Sequence, residues 1–279
     1  MSFNNRKEKY FFSPPVSKLN NTFPIIIITL MMLFAGNISA QVAGVSAHKL
    51  TLLSASILPE GTFEFEPAFS VLNSNNYFNE NWETQQQEGR STASSLDFRM
   101  TVGLTEQFEI GASISSNIED INFGAKYLLS NNEDFSIALS GGTSLPAGNK
   151  FVEDSSLTNE YIYTASVGPV FSSNISENNS IDIALTYTTA LGKSSFVDQV
   201  YAGLGWGYNV RDNLQLVLEL AGYACINNEL CSGKLSLFPG ITYDIAENFS
   251  FAFGFQHDLI GKNEDNGFGY FGAFTISFN

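Results

Sequence analysis

Histidine and cysteine are almost missing from this chain, with two of each in 279 residues. That scarcity excludes a His/Cys metal cluster and a fold framed by several disulfides. Basic residues are also few: 13 Lys and Arg stand against 28 Asp and Glu, a net charge of −15. Nucleic acid is therefore excluded as a partner, because phosphate binding needs clustered Lys and Arg. There is no phosphate-cradling glycine loop, no paired-carboxylate motif and no His-rich metal spacing, so neither an enzyme activity nor a cofactor is expected. Long apolar runs are missing too. The longest, Ile25 to Ala35, falls well short of the roughly 20 residues a spanning helix needs.

That short run has a different use. Arg6, Lys7, Lys9 and Lys18 precede it and Ile38-Ser39-Ala40 follow it, which is the basic, apolar, small-residue order of a secretory signal peptide. Residues 1–40 read as that signal, with cleavage after Ala40, and a permanent membrane anchor is the weaker alternative. No Cys follows the run, which argues against a lipid-anchored lipoprotein. The signal holds four of the basic residues and only Glu8 among the acids, so the exported part is still more acidic than the whole.

What the chain has in abundance is alternation. Tyr270, Phe274, Ile276 and Phe278 share one face of the last segment, opposite Phe271, Ala273, Thr275 and Ser277. Segments of the same kind recur at 62–71, 94–104, 108–116, 121–129, 135–145, 161–171, 181–191, 200–210, 214–223, 235–245, 249–259 and 268–278. Each is close to the roughly 9–11 residues a tilted strand needs to cross a bilayer. The connections alternate between tight polar turns, such as Thr105-Glu106-Gln107 and Arg211-Asp212-Asn213, and mostly longer loops, such as Leu72 to Ala93.

This pattern predicts an all-β transmembrane antiparallel barrel of twelve strands, with both ends of residues 61–279 on the periplasmic side of a bacterial outer membrane. Residues 41–60 are expected as a periplasmic lead-in. Phe63, Phe108, Tyr127, Phe135, Phe171, Tyr208, Tyr243, Phe249 and Phe278 all fall at the tight-turn ends on lipid-facing parity, as an interfacial girdle would. A soluble β-sandwich gives aromatics no reason to collect at one level. Pro67, Pro169 and Pro239 lie inside strands of a barrel without free edges, so a bulge or local break is expected at each. The facing of 161–171 stays ambiguous, because Ile162 and Val170 fall on the parity opposite to the aromatics. Outer-membrane lipid and the barrel-assembly machinery, which would read the terminal strand, are the expected partners.

Several stretches carry a resemblance: Leu58-Pro59-Glu60-Gly61-Thr62-Phe63-Glu64-Phe65-Glu66-Pro67, Val102-Gly103-Leu104-Thr105-Glu106-Gln107-Phe108-Glu109-Ile110-Gly111, Phe123-Gly124-Ala125-Lys126-Tyr127, Leu145-Pro146-Ala147-Gly148 and Phe238-Pro239-Gly240-Ile241-Thr242-Tyr243. In this order they resemble the outer-membrane family named for the MetA pathway of phenol degradation, whose members are described as transporters. The resemblance covers residues 58–279. It implies an outer-membrane barrel that moves small compounds, apolar or aromatic ones among them, and it carries no catalytic residue.

Lipid-facing parity turns Glu64, Glu66, Asp97, Arg99, Glu109, Lys126, Asp182, Gln215, Glu219, Asp244 and Gln256 into the lumen. Glu64, Glu66, Asp97, Arg99, Glu109, Lys126, Asp182 and Glu219 are the candidates for a constriction. Arg99 and Lys126 are the two cations in this set, and they should sit between carboxylates. Two readings follow: a polar pore that a small-molecule solute crosses, or a lumen plugged by its own ion pairs, leaving a structural or surface-interaction barrel. Cys225 and Cys231, six apart in one external loop, are expected to form a disulfide, and no metal is implied. His257 falls on lipid-facing parity at the external end of its strand, with no Ser placed to make a dyad. Tyr77, Phe78 and Trp82 in the first long loop either fold into the barrel mouth or anchor the loop to the rim.

Overall fold

The structure, a computed structural model, describes residues 44–46, 49–118, 120–132, 134–147, 163–191, 198–226 and 232–279. Residues 1–40, expected from the sequence to be a signal peptide, Cys231 and much of three long loops lie outside the described residues. Twelve strands follow one another along the chain: β1 (Phe63–Phe78), β2 (Thr84–Thr105), β3 (Phe108–Ser115), β4 (Asp120–Asn131), β5 (Phe135–Pro146), β6 (Thr164–Ser176), β7 (Asn179–Ala190), β8 (Gln199–Arg211), β9 (Leu214–Cys225), β10 (Gly233–Ala246), β11 (Phe249–Lys262) and β12 (Glu264–Phe278). Each pairs antiparallel with its neighbours in sequence, and β1 closes on β12, from Phe63 opposite Phe278 to Phe78 opposite Glu264. Closure removes every sheet edge, which is the condition for a β-structure to cross a membrane.

The alternation read from the sequence is the inside–outside alternation of the wall. Met100, Leu104, Phe123, Leu139, Leu185, Leu204, Leu218, Phe255 and Leu259 are exposed on the outer face, while Glu109, Lys126, Asp182 and Glu219 are buried inside. An apolar exterior over a polar interior is the arrangement that lipid demands. The girdle rings meet across neighbouring strands at the tight-turn end: Phe63 lies 6.0 Å from Phe278, Phe108 6.4 Å from Tyr127 and Phe135 6.3 Å from Phe171.

Each proline produces a local break and no bulge. β1 loses its pairing with β12 at Glu66 and Pro67, β6 with β7 at Gly168 and Pro169, and β10 with β11 at Phe238 and Pro239. In every case the register resumes unchanged, and the proline stays paired on its other side: Pro67 with Phe98, Pro169 with Leu139 and Pro239 with Leu218. A missing N–H costs one ladder only, so a strand with two neighbours can absorb it.

Three expected connections are shorter than the sequence suggested. Leu72 to Ala93 is mostly a hairpin, with only residues 79–83 at its tip. Ser172 to Ser180 contracts to Glu177-Asn178, and 260–267 contracts to Asn263. Beyond the lipid belt both faces of a strand are polar, so the ladder continues where the apolar period stops. Phe78 packs on Gly261 at the rim and is almost wholly buried, whereas Trp82 at the tip is exposed.

Residues 41–60 depart furthest from expectation. The described part, 44–46 and 49–58, is not a periplasmic lead-in: it runs inside the barrel, and the exposed Pro59 and Glu60 lead out to β1. Val45, Ser46, Leu52, Leu53, Ser54 and Ala55 are buried. At the exit the Gly61 and Thr62 main chain bonds to Gly103 of β2, fixing where the segment leaves the lumen.

Candidate functional site

The inner segment is held by carboxylates that the wall turns inward. Glu219 of β9, fully buried, is the tightest anchor. Its Oε1 accepts the main-chain N–H of Leu50 at 2.9 Å and of Leu52 at 3.2 Å. Its Oε2 accepts the Thr51 N–H at 2.9 Å and the Thr51 hydroxyl at 2.6 Å. Three successive N–H groups converging on one anion form a nest, a backbone device for holding negative charge.

Glu109 of β3 and Lys126 of β4 stand opposite each other in register and pair at 3.1 Å, both fully buried. The segment completes their bonding. Glu109 accepts the N–H and hydroxyl of Ser46 at 2.9 and 2.8 Å and the N–H of Leu58 at 2.9 Å. Lys126 Nζ donates to the Ser46 carbonyl and the Ser54 carbonyl, each at 3.1 Å. A second pair joins Lys49 of the segment to Asp182 of β7, with Ser180 also taking a bond from Nζ at 3.1 Å. Such buried charges are tolerable only because each carboxylate and each ammonium group finds partners.

Apolar contacts fill the gaps between these anchors. Val45, Leu52 and Leu53 pack on Ala138, Val170 and Ala184, while Leu50 packs on Val217, Ala221, Phe238 and Phe271. This resolves the ambiguous parity of β6: Phe171 faces lipid, and Val170 is apolar because it faces the segment. Two wall glycines make room. A Cβ at Gly111 would lie 1.7 Å from the Gly44 carbonyl oxygen, and one at Gly203 2.2 Å from Leu52 Cδ1.

Glu66 and Arg99, opposite in register on β1 and β2, pair at 2.6 Å away from the segment. Thr275 of β12 adds a hydroxyl bond to the same Glu66 oxygen at 2.8 Å. Glu64 and Asp97 also face the lumen, Glu64 into the inner cavity and Asp97 into the outer one. All eight constriction candidates are therefore inward, but they divide into two groups. Glu109, Lys126, Asp182 and Glu219 bind the segment; Glu66, Arg99, Glu64 and Asp97 border the space it leaves.

That space consists of two cavities. An outer one of about 460 Å³ lies toward the long loops, and an inner one of about 550 Å³ lies toward the tight turns. Leu50, Glu66, Ala252 and Ala273 line both, so the barrier between them is narrow and lies beside the Glu66–Arg99 pair. Lys49, Thr51 and Tyr201, absent from the sequence-derived set, are part of this arrangement. His257 is outside it, on the outer face with its ring 6.2 Å from Phe268. Cys225, at the outer end of β9, is disulfide-bonded.

A solved outer-membrane channel from Pseudomonas putida F1 superposes on this barrel with a TM-score of 0.68, covering 80% of this chain and 98% of its own at 12% identity. The fold is that of a bacterial outer-membrane barrel. Looser likenesses are to the NanC porin, with a TM-score of 0.48, 9% identity and coverage of 77% and 98%, and to the toluene transporter TbuX of Ralstonia pickettii, with 0.37, 9%, 80% and 90%. No family model matches the chain, and no curated protein matches it.

Proposed function

We propose that this protein is an outer-membrane channel or transporter for small molecules, whose lumen is stoppered by residues 44–46 and 49–58. The observation that carries the reading is the pair of cavities lying on either side of the segment and meeting beside Glu66 and Arg99. A barrel whose lumen served only as a core would have no use for space of this size at both ends. The outer cavity has apolar side chains on one wall, Leu50, Phe238 and Phe271 among them, which suits apolar or aromatic solutes. The motif order that resembles the phenol-degradation family supports the same substrate class, and the similar Pseudomonas putida barrel is a channel. Export through a cleaved signal at residues 1–40, recognition of β12 by the assembly machinery and a Cys225–Cys231 bond belong to this reading.

The alternative is a structural barrel with a permanently closed lumen, and the density of bonds to Glu109, Lys126, Asp182 and Glu219 favours it. Planar-bilayer recording separates the two. The intact mature protein is expected to conduct weakly or intermittently, and a variant lacking residues 44–58 to conduct continuously. Silence in both, from barrels that run as heat-modifiable folded species, would leave only the structural reading.

A further inference from the structure

We propose that the outer cavity holds a site for an organic cation, an alkylammonium whose charge rests on Asp97 and whose carbon body lies on a row of three alanines beside it. The inference rests on the channel reading above and names the charge of a solute that the lumen accepts.

The charges that border the outer cavity do not balance. Among the described residues its lining carries two bases, Arg99 and Lys234, against three acids, Glu66, Asp97 and Glu264. Each base already has a carboxylate of its own: Arg99 meets Glu66 at 2.6 Å, and Lys234 meets the buried Asp258 at 3.1 Å. Glu264, at the outer end of β12, takes a bond from the Tyr223 hydroxyl. Asp97 has the Ser95 hydroxyl and no basic partner among the described residues. A carboxylate only accepts, so Ser95 donates to Asp97 and in turn accepts from Ser70 at 2.7 Å. Arg99, the next inward residue on β2, is turned to Glu66 and leaves Asp97 unanswered. Asp97 is not sealed in the wall; it is half-buried and opens on the cavity. A carboxylate drawn partly out of water without a counter-charge is a cost that a bound cation removes.

The strand register supplies the space. Ala68 of β1 stands opposite Asp97, Ala273 of β12 opposite Ala68, and Ala252 of β11 opposite Ala273. All three alanines line the cavity, and with strands about 4.8 Å apart they form a level shelf running roughly 14 Å from Asp97. At its far end Ala252 meets the apolar cluster of Leu50, Phe238 and Phe271. Ala273 and Ala252 also line the inner cavity, so a body lying on them occupies the passage between the two. A neutral solute would cover the shelf and leave Asp97 uncompensated. An anion would find both bases engaged and a bare carboxylate beside it.

The test compares cyclohexylamine, charged at pH 7, with cyclohexanol and cyclohexanecarboxylate, which share its ring. Calorimetry is run on the full mature protein in zwitterionic lipid nanodiscs, with empty nanodiscs subtracted. The amine is expected to bind roughly tenfold or more tightly than the alcohol, because only the ammonium neutralises the carboxylate. The carboxylate is expected to bind weakest. In Asp97→Asn, whose amide oxygen keeps the Ser95 bond, the preference for the amine should vanish while heat-modifiability shows an intact barrel. Ala273→Leu fills the shelf and keeps the charge, so it should weaken amine and alcohol alike. Equal binding of amine and alcohol to the wild type overturns the proposal, as does a preference that survives Asp97→Asn. Tighter binding of the carboxylate, or no binding of any probe, overturns it too, and unaltered binding to Ala273→Leu removes the shelf. Because the measurement needs no flux, a silent barrel that prefers the amine keeps the site and loses the channel reading, and a conducting barrel without the preference does the reverse.

Discussion

Replacing Glu219 by Gln should release the inner segment without unfolding the barrel. The substitution keeps the shape of the side chain but turns one of its two oxygens into an NH₂ group. Each oxygen now serves two donors: Leu50 N–H and Leu52 N–H on Oε1, Thr51 N–H and the Thr51 hydroxyl on Oε2. Whichever oxygen is lost, two donors lose an acceptor and face a donor in its place. A hydrogen bond to a charged group is worth about 1.5–3 kcal/mol, and the hydroxyl can rotate to recover part of the loss. A net cost of about 2–4 kcal/mol to docking follows, or roughly 30- to 700-fold in the docked-to-free ratio at 1.4 kcal/mol per decade. Hydrogen exchange followed by mass spectrometry reads this directly. The amides of Leu50, Thr51 and Leu52 should exchange faster by about that factor, while those of β8 to β10 keep their protection. Unchanged exchange at residues 50–52 would refute the nest as an anchor. Equal acceleration throughout the strands would mean that Glu219 holds the wall together and not the segment.

Leu218, one residue away and exposed to lipid, should show the opposite behaviour: Leu218→Arg is expected to cost roughly 2–4 kcal/mol of barrel stability or to abolish insertion, measured by heat-modifiability and urea titration. Arg99→Ala leaves Glu66 with the Thr275 hydroxyl as its one partner among the described residues beside the narrow barrier, so reversal potentials under a salt gradient should move toward cation selectivity. An unchanged potential in a conducting barrel would place the barrier elsewhere. Unreduced protein should give no titratable thiol, and the double change Cys225→Ser, Cys231→Ser should leave the folded form intact on gels, because the bond lies outside the lipid belt.

The wall was legible because lipid imposes a rule on every second residue. Twelve segments, the tight turns and the girdle aromatics all follow from that rule, and so does the inward facing of the eight charged candidates. The inner segment obeys no such rule. Its bonds reach partners 51 to 169 residues away, from Leu58–Glu109 to Leu50–Glu219, and nothing local marks a stretch whose order comes from so far off. Traces of it were nevertheless present in the wall. Val170 broke the parity of β6 because its apolar side chain meets the segment, and Gly203 and Gly205 leave bare the part of the inward face of β8 that Leu52 and Lys49 cover. A lumen stripe too small and too apolar for water is the mark left by something lying on it. The pairing of Arg99 with Glu66 was accessible because both stand on adjacent strands at matching register. The engagement of Lys49 with Asp182 was not, since the position of Lys49 depends on the path of the segment.

The anchoring of residues 44–46 and 49–58 also sets an order of assembly. Their partners, Glu109, Lys126, Ser172, Asp182 and Glu219, are spread over β3, β4, β6, β7 and β9. No subset of those strands presents the whole set at the right spacing. The segment that comes first in the described chain therefore finds its last contact only after most of the sheet has curled around it. Until then Asp182 and Glu219 remain hydrated, and docking exchanges that water for Lys49 and for the N–H groups of residues 50–52. Synthesis order and completion order run opposite ways in this molecule.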